Sequence, residues 1–116
     1  MDPPLPGETR ELENWQGRRF RLPYERWDHI RESHSNMSYN FGAMVEALRY
    51  PDAIVVNGNN PDTHVYHKEI EQVRIGLAKQ VPFKGYMAVF VNERQAFVIT
   101  AFPMKKLKRG HVLWRR

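Results

Sequence analysis

The chain contains no cysteine, which excludes disulfide frameworks, thiolate nucleophiles and cysteine-held metals together. No apolar run approaches the roughly 18 residues that a membrane-spanning helix needs. The first residues, MDPPLPGE, are proline-rich and acidic and lack the apolar stretch of a secretory signal. Glycine is scattered, with Gly42, Gly58, Gly76 and Gly85 in unrelated contexts, so no phosphate-cradling loop is present. No serine sits in a nucleophile-elbow context, and no acidic pair matches the strand-end arrangement of two-metal nucleases. These absences point to a cytoplasmic protein without membrane contact, or to a toxin delivered by other machinery.

What is present is positive charge. The 116 residues carry a net charge of +5 and a pI near 9.7, a balance that favours nucleic acid, an acidic protein or an anionic surface as partner. The charge is unevenly placed. Residues 1–16 hold Asp2, Glu8, Glu11 and Glu13 against Arg10 alone, whereas residues 104–116 hold Lys105, Lys106, Lys108, Arg109, Arg115 and Arg116 with no acid. The length fits one domain. The composition predicts a flexible arm over residues 1–16, a single folded domain over 17–104 and a basic tail over 105–116, which serves either solubility or nucleic-acid binding.

Periodicity predicts a short strand at Arg18–Leu22 followed by a helix within Leu22–His34. Pro23 suits the first helical turn, Glu25 and Asp28 suit its positive end, and the helix is expected to stop near Ser35-Asn36. In a second helix near Asn40–Arg49, Phe41, Met44, Val45 and Leu48 form one apolar stripe, and Tyr50-Pro51 ends it. The remainder alternates as strands: AIVVN, THVYH, VRIGLAK, YMAVFV and QAFVITAF, the last two joined at Asn92–Gln95. The expected fold is α+β, with two N-terminal helices packed on one face of a curved, mainly antiparallel sheet of four or five strands.

Histidine is the natural place to look for chemistry. His64 and His67 point to opposite faces of one strand, and His29 and His34 lie roughly 140° apart on a helix, so neither pair suits a metal and no cofactor is expected. On the wheel Trp27, Ile30 and His34 share the face laid against the sheet, while His29 turns to solvent beside Arg26 and Ser33. His34 is then either a core-edge histidine bonded to backbone or a titratable group presented to a site. Thr100, which interrupts the apolar run of the last strand, is either a β-propensity residue or a hydrogen-bond donor.

The arrangement W-x-H-I-x-x-x-H at Trp27, His29, Ile30 and His34, then F-x-x-M-V-x-x-L-x-x-P-D-A-I from Phe41 to Ile54, then V-I-T-A-F at Val98–Phe102, resembles small nucleases of the barnase/EndoU/colicin/RelE-like superfamily. It is most similar to the phage-associated and polymorphic-toxin branches, and its layout is similar to BrnT-type toxins. The resemblance spans about residues 18–103. It implies a metal-independent ribonuclease whose partners are RNA and a cognate antitoxin or immunity protein. It places His29 and His34 at the family's histidine positions and Thr100 at its last-strand position. Tyr66, Arg74 and Lys79 are implied as the accompanying basic and tyrosyl groups by strand location alone. Where the family often shows His-Pro-Glu, this chain has His34-Ser35-Asn36.

RNA can be cleaved without metal when a base deprotonates the 2′-hydroxyl, a cation stabilises the crowded phosphorane and an acid protonates the leaving oxygen. Histidine suits the acid and base roles, Arg74 or Lys79 the charge, and Lys105, Lys106, Lys108 and Arg109 the RNA backbone. The alternative expectations are a non-catalytic nucleic-acid-binding module and an inactive phage-accessory protein of the same fold.

Overall fold

The computed structural model describes residues 1–116 and has an α+β architecture of two α-helices and one seven-stranded mixed sheet. In chain order come β1 (Thr9–Glu13), β2 (Arg19–Pro23), α1 (Tyr24–Ser33), a 3-10 turn (Ser35–Tyr39) and α2 (Phe41–Arg49), then β3 (Ala53–Asn57), β4 (Thr63–Arg74), β5 (Gln80–Asn92), β6 (Phe97–Met104) and β7 (Gly110–Arg115). The sheet order is β1-β2-β6-β5-β4-β3-β7, antiparallel everywhere except at the β2/β6 contact.

The sheet is therefore wider than the four or five strands expected, and the helices follow two strands instead of opening the fold. Both extra strands lie in segments whose composition reads as unstructured. Thr9–Glu13 pairs with β2 because Leu12 is fully buried against Phe20 and Leu22, with charged residues alternating outward. Residues 1–16 are thus not a loose arm. Residues 105–116 are not a tail either, since GHVLWR pairs along β3 as β7. A third correction concerns VRIGLAK. β4 stops at Arg74, Arg74 pairs with Gln80, and Ile75–Lys79 forms the turn between two long strands, leaving Leu77 90% exposed.

Both helices cover one face. The large core joins Trp27 and Ile30 of α1, Phe41, Met44, Ala47 and Leu48 of α2, and Leu12, Phe20, Leu22, Ile54, Tyr66, Met87, Val89, Val91, Val98 and Ala101 of the strands. Pro23, at φ −65 and ψ 154, is the extended N-cap that ends β2, one residue before the first turn expected for it, and α1 ends at Ser33, with the 3-10 turn carrying the chain on to α2.

The placement of α1 decides what His34 can reach. β2 touches β6 only at Arg21 and Phe97, so the rest of that edge of β6 has no strand beside it. α1, which follows β2 directly, packs against β6, and its C-terminal cap His34 lies on Phe102.

The opposite face of the sheet is covered by chain instead of helix. From β6, third in the sheet, residues 105–109 cross over β5, β4 and β3 to reach β7 at the far edge. Two glycines let this crossover lie flat. A Cβ on Gly85 would strike the Met104 carbonyl, and one on Gly110, at φ +153, would strike the Val56 carbonyl.

Candidate nucleic-acid interface

The residues singled out by sequence divide among three regions. His34 and Thr100 lie together on the crossover side. The backbone N–H of His34 donates to the Ile30 carbonyl at 2.8 Å, which closes α1 and sends the ring over the edge of β6. There it stacks on Phe102 with centroids 4.3 Å apart and planes 23° apart, and Phe102 stacks in turn on Phe90 at 5.3 Å and 20°. Thr100 is the register partner of Phe90. A bulge after Val98 leaves Ile99 unpaired, so Thr100 and Phe102 share one face while Val98 and Ala101 enter the core on the other. All four residues of this cluster remain partly exposed.

Lys105 begins three residues beyond Phe102, about 10 Å along the strand direction. Lys105, Lys106, Lys108 and Arg109 take part in none of the chain's seven ion pairs, so their charge is free for a ligand. The crossover is anchored underneath by His67, whose Nε2 accepts the Lys108 N–H at 3.1 Å. His67 is fully buried, and because its Nε2 accepts, its proton sits on Nδ1. Burial pushes the imidazole down to about 4, opposed by the Ala53 and Val65 carbonyls, so His67 is neutral near pH 7. It is a structural prop for the basic loop. In THVYH its burial was hidden by an alternation that gave both faces equally polar residues.

Tyr66 lies on the other face. Its hydroxyl accepts from Asn14 Nδ2 at 3.1 Å and donates to Glu93 Oε2 at 3.4 Å, and Glu93 also meets Arg18 at 3.1 Å and His64 at 3.4 Å. Burial is the main force pushing the phenol up to about 12, which keeps it protonated. Asn14 further accepts the backbone N–H groups of Gln16 and Arg18, so the network fastens the β1–β2 turn to the β5–β6 turn. None of the main surface grooves is lined by Tyr66, Glu93 or His64, nor by His34, Phe90, Thr100 or Phe102. The Tyr66 network holds turns together. Sequence reasoning missed Asn14 and Glu93 because their partnership spans the whole chain.

Arg74 and Lys79 form the third region, at the tip of the β4–β5 hairpin. Asn40 brackets Arg74 by accepting its N–H at 3.2 Å and donating to its carbonyl at 2.9 Å, and the guanidinium reaches the Leu77 carbonyl at 3.4 Å. Arg74 pairs with Gln80 and Thr100 with Phe90, ten residues apart on β5, a separation of roughly 30 Å. Neither cation can share a phosphate with Thr100. His29 is exposed on the outer side of α1 and faces away from the sheet.

The expected catalytic set of His34, His29, Thr100, Tyr66, Arg74 and Lys79 is therefore not one site. The structure stacks His34 on Phe102, two residues from Thr100 on one strand face, brings in the ring of Phe90, and follows Phe102 along the chain with the cations of residues 105–109. No three His, Asp or Glu side chains converge as metal ligands, and no helix is long and apolar enough to cross a membrane. No family model, curated protein or solved structure matches this chain.

Proposed function

We propose that this chain is a metal-independent ribonuclease that takes single-stranded RNA across its crossover face, in keeping with the resemblance to the barnase/EndoU/colicin/RelE-like superfamily. The observation that carries the reading is the position of His34: partly exposed and stacked on Phe102, which lies two residues from Thr100 and three before a run of unpaired cations. Each part has a chemical use. Stacked rings at a surface receive unpaired bases, and unpaired lysines and arginines receive phosphates. His34 takes the proton of the 2′-hydroxyl as that oxygen attacks the adjacent phosphorus in line. Thr100 donates a hydrogen bond to a non-bridging oxygen as negative charge grows there. The bond from phosphorus to the 5′-oxygen then breaks, leaving a 2′,3′-cyclic phosphate, and the departing oxygen takes a proton from water or from His34 after the first transfer.

The cations that complete this site are those of the crossover, not Arg74 or Lys79, and Tyr66 stays out of the chemistry. The reading is tested by incubating the purified protein with a fluorescent RNA and its all-deoxy counterpart in EDTA. Cleavage confined to RNA, reduced at least 100-fold by His34→Gln and about 10-fold by Thr100→Val, is the expected result. Cleavage of the deoxy strand, or a requirement for metal, contradicts it.

A second reading uses the same surface without cleavage. The stack and the free cations suffice for binding, and the scattering of Tyr66, Arg74 and Lys79 leaves His34 without a second titratable group from the expected set. Binding without cleavage, falling steeply with salt and insensitive to His34→Gln, is its signature.

A further inference from the structure

The sheet has two edges, and they are finished differently. β1 carries Arg10, Glu11 and Glu13 with a single apolar side chain, Leu12, turned fully inward, so charge blunts that edge. β7 is the reverse. It pairs with β3 on one side only, contains no proline and no acid, and exposes Val112 at 45% and Leu113 at 53%. Leu113 is the bulged residue, without a Cα partner on β3, and it is the more exposed of the two. Lys108 and Arg109 precede this apolar pair, and Arg115 and Arg116 follow it. Of these four only Arg116 is in an ion pair, with Asp52 at 3.0 Å.

We propose that the free edge of β7 takes up an extended, acidic segment of a partner protein, which adds to the sheet as an eighth strand. The outward N–H and C=O groups of residues 110–115 supply the backbone bonds of such an addition. Val112 and Leu113 give it two apolar contacts, and cations at both ends select acidic flanks. The same charges argue against a second copy of this chain. An antiparallel β7–β7 pairing would bring the Arg109 end of one copy against the Arg115-Arg116 end of the other. β1 of another copy has no outward apolar side chain to cover Val112 and Leu113. RNA could meet the cations but would leave the backbone edge and both apolar side chains unsatisfied. The proposal does not rest on the ribonuclease reading, although a strand on β7 would lie next to Lys108 and Arg109 and compete for them.

The experiment uses the full chain and synthetic ten-residue peptides. One alternates valine and glutamate, a second alternates valine and lysine, and a third is the valine–glutamate peptide N-methylated at alternate residues so that one edge cannot donate. Binding is followed by calorimetry, and hydrogen exchange reads the β7 amides. The expected result is saturable binding of the valine–glutamate peptide with slowed exchange over residues 110–115. Affinity falls at least 10-fold for the lysine peptide, for the N-methylated peptide and for the Leu113→Asp variant. Equal binding of all three peptides overturns the proposal, as does binding without protection of β7 or no binding at millimolar peptide. A dimer of the free protein that already protects β7 overturns it in favour of self-association.

Discussion

The two faces of the sheet solve the same problem with different materials. Beneath the helices, Met87, Val89, Val91, Val98 and Ala101 meet Trp27, Ile30, Met44 and Leu48, and all are buried. The one buried hydroxyl there, that of Tyr66, is met by both Asn14 and Glu93. Beneath the crossover the face is closed by a loop of only a few residues, pinned to a buried neutral histidine, and its rim of His34, Phe90, Thr100 and Phe102 stays partly open. The face under the two helices is packed shut by apolar side chains. The face covered by a strap of cations keeps a rim where rings, a hydroxyl and an imidazole are partly exposed to water.

The difference can be broken by mutation. Leu48→Ala, in the sealed face, is expected to cost about 2–5 kcal/mol, because the helix and sheet around it cannot close the cavity. Phe90→Ala, on the open rim, is expected to cost less than half as much in stability while weakening single-stranded RNA binding by about 1–3 kcal/mol. Urea denaturation of both variants with a parallel binding titration makes the comparison. Equal destabilisation would mean that the rim is core.

Acid should act mainly on the crossover side. His67 titrates near 4 in the folded chain and near 6.5 when unfolded, so the unfolded state binds more protons between those values and stability rises with pH across that window. Lowering the pH from 6.5 to 4 is therefore expected to remove on the order of 3 kcal/mol through this one group. His67→Asn, which keeps an acceptor for the Lys108 N–H, should lose less than wild type over the same range in urea titrations. Parallel losses would show that the histidine is not what acid attacks.

On the sealed face Asn14→Ala removes a turn cap and leaves the Tyr66 hydroxyl with one partner. It is expected to cost about 1–3 kcal/mol without changing RNA affinity. The smallest effect belongs to the strap itself. Lys106→Ala should leave stability within about 0.5 kcal/mol and lower the slope of log affinity against log salt by roughly 0.7, the share of one phosphate contact on a single strand.

How much of this was legible in the sequence depended on range. The wheel of α1 placed Trp27 and Ile30 inward, and the stripe of α2 identified its core face. Both are properties of contiguous residues. His34, which the wheel put on the stripe of Trp27 and Ile30, is instead a non-helical cap that lies on Phe102 across the sheet. The missing strands were hidden for a different reason. Charge dominates TRELE, and GHVLWR is short and sits between the basic runs Lys105–Arg109 and Arg115-Arg116, whereas a single inward Leu12 or a half-buried Trp114 is enough to pair a strand once a neighbour exists. Register was equally invisible. The bulge at Ile99 decides that Thr100 joins Phe102 and not Val98, and the long β4–β5 hairpin carries Arg74 and Lys79 far from Thr100. Spacing along a chain could not report either distance, so six candidate residues read as one site when the fold divides them.

The most direct test of that division is to map where RNA sits. A short single-stranded RNA with 2′-O-methyl groups, which cannot be cut, is titrated into isotope-labelled protein and followed by amide and side-chain NMR shifts. The account predicts shifts at His34, Phe90, Thr100, Phe102 and residues 105–109, with Tyr66, Arg74 and Lys79 unmoved. Shifts centred on the Arg74–Lys79 hairpin tip, or on the Tyr66–Glu93 network, would contradict it.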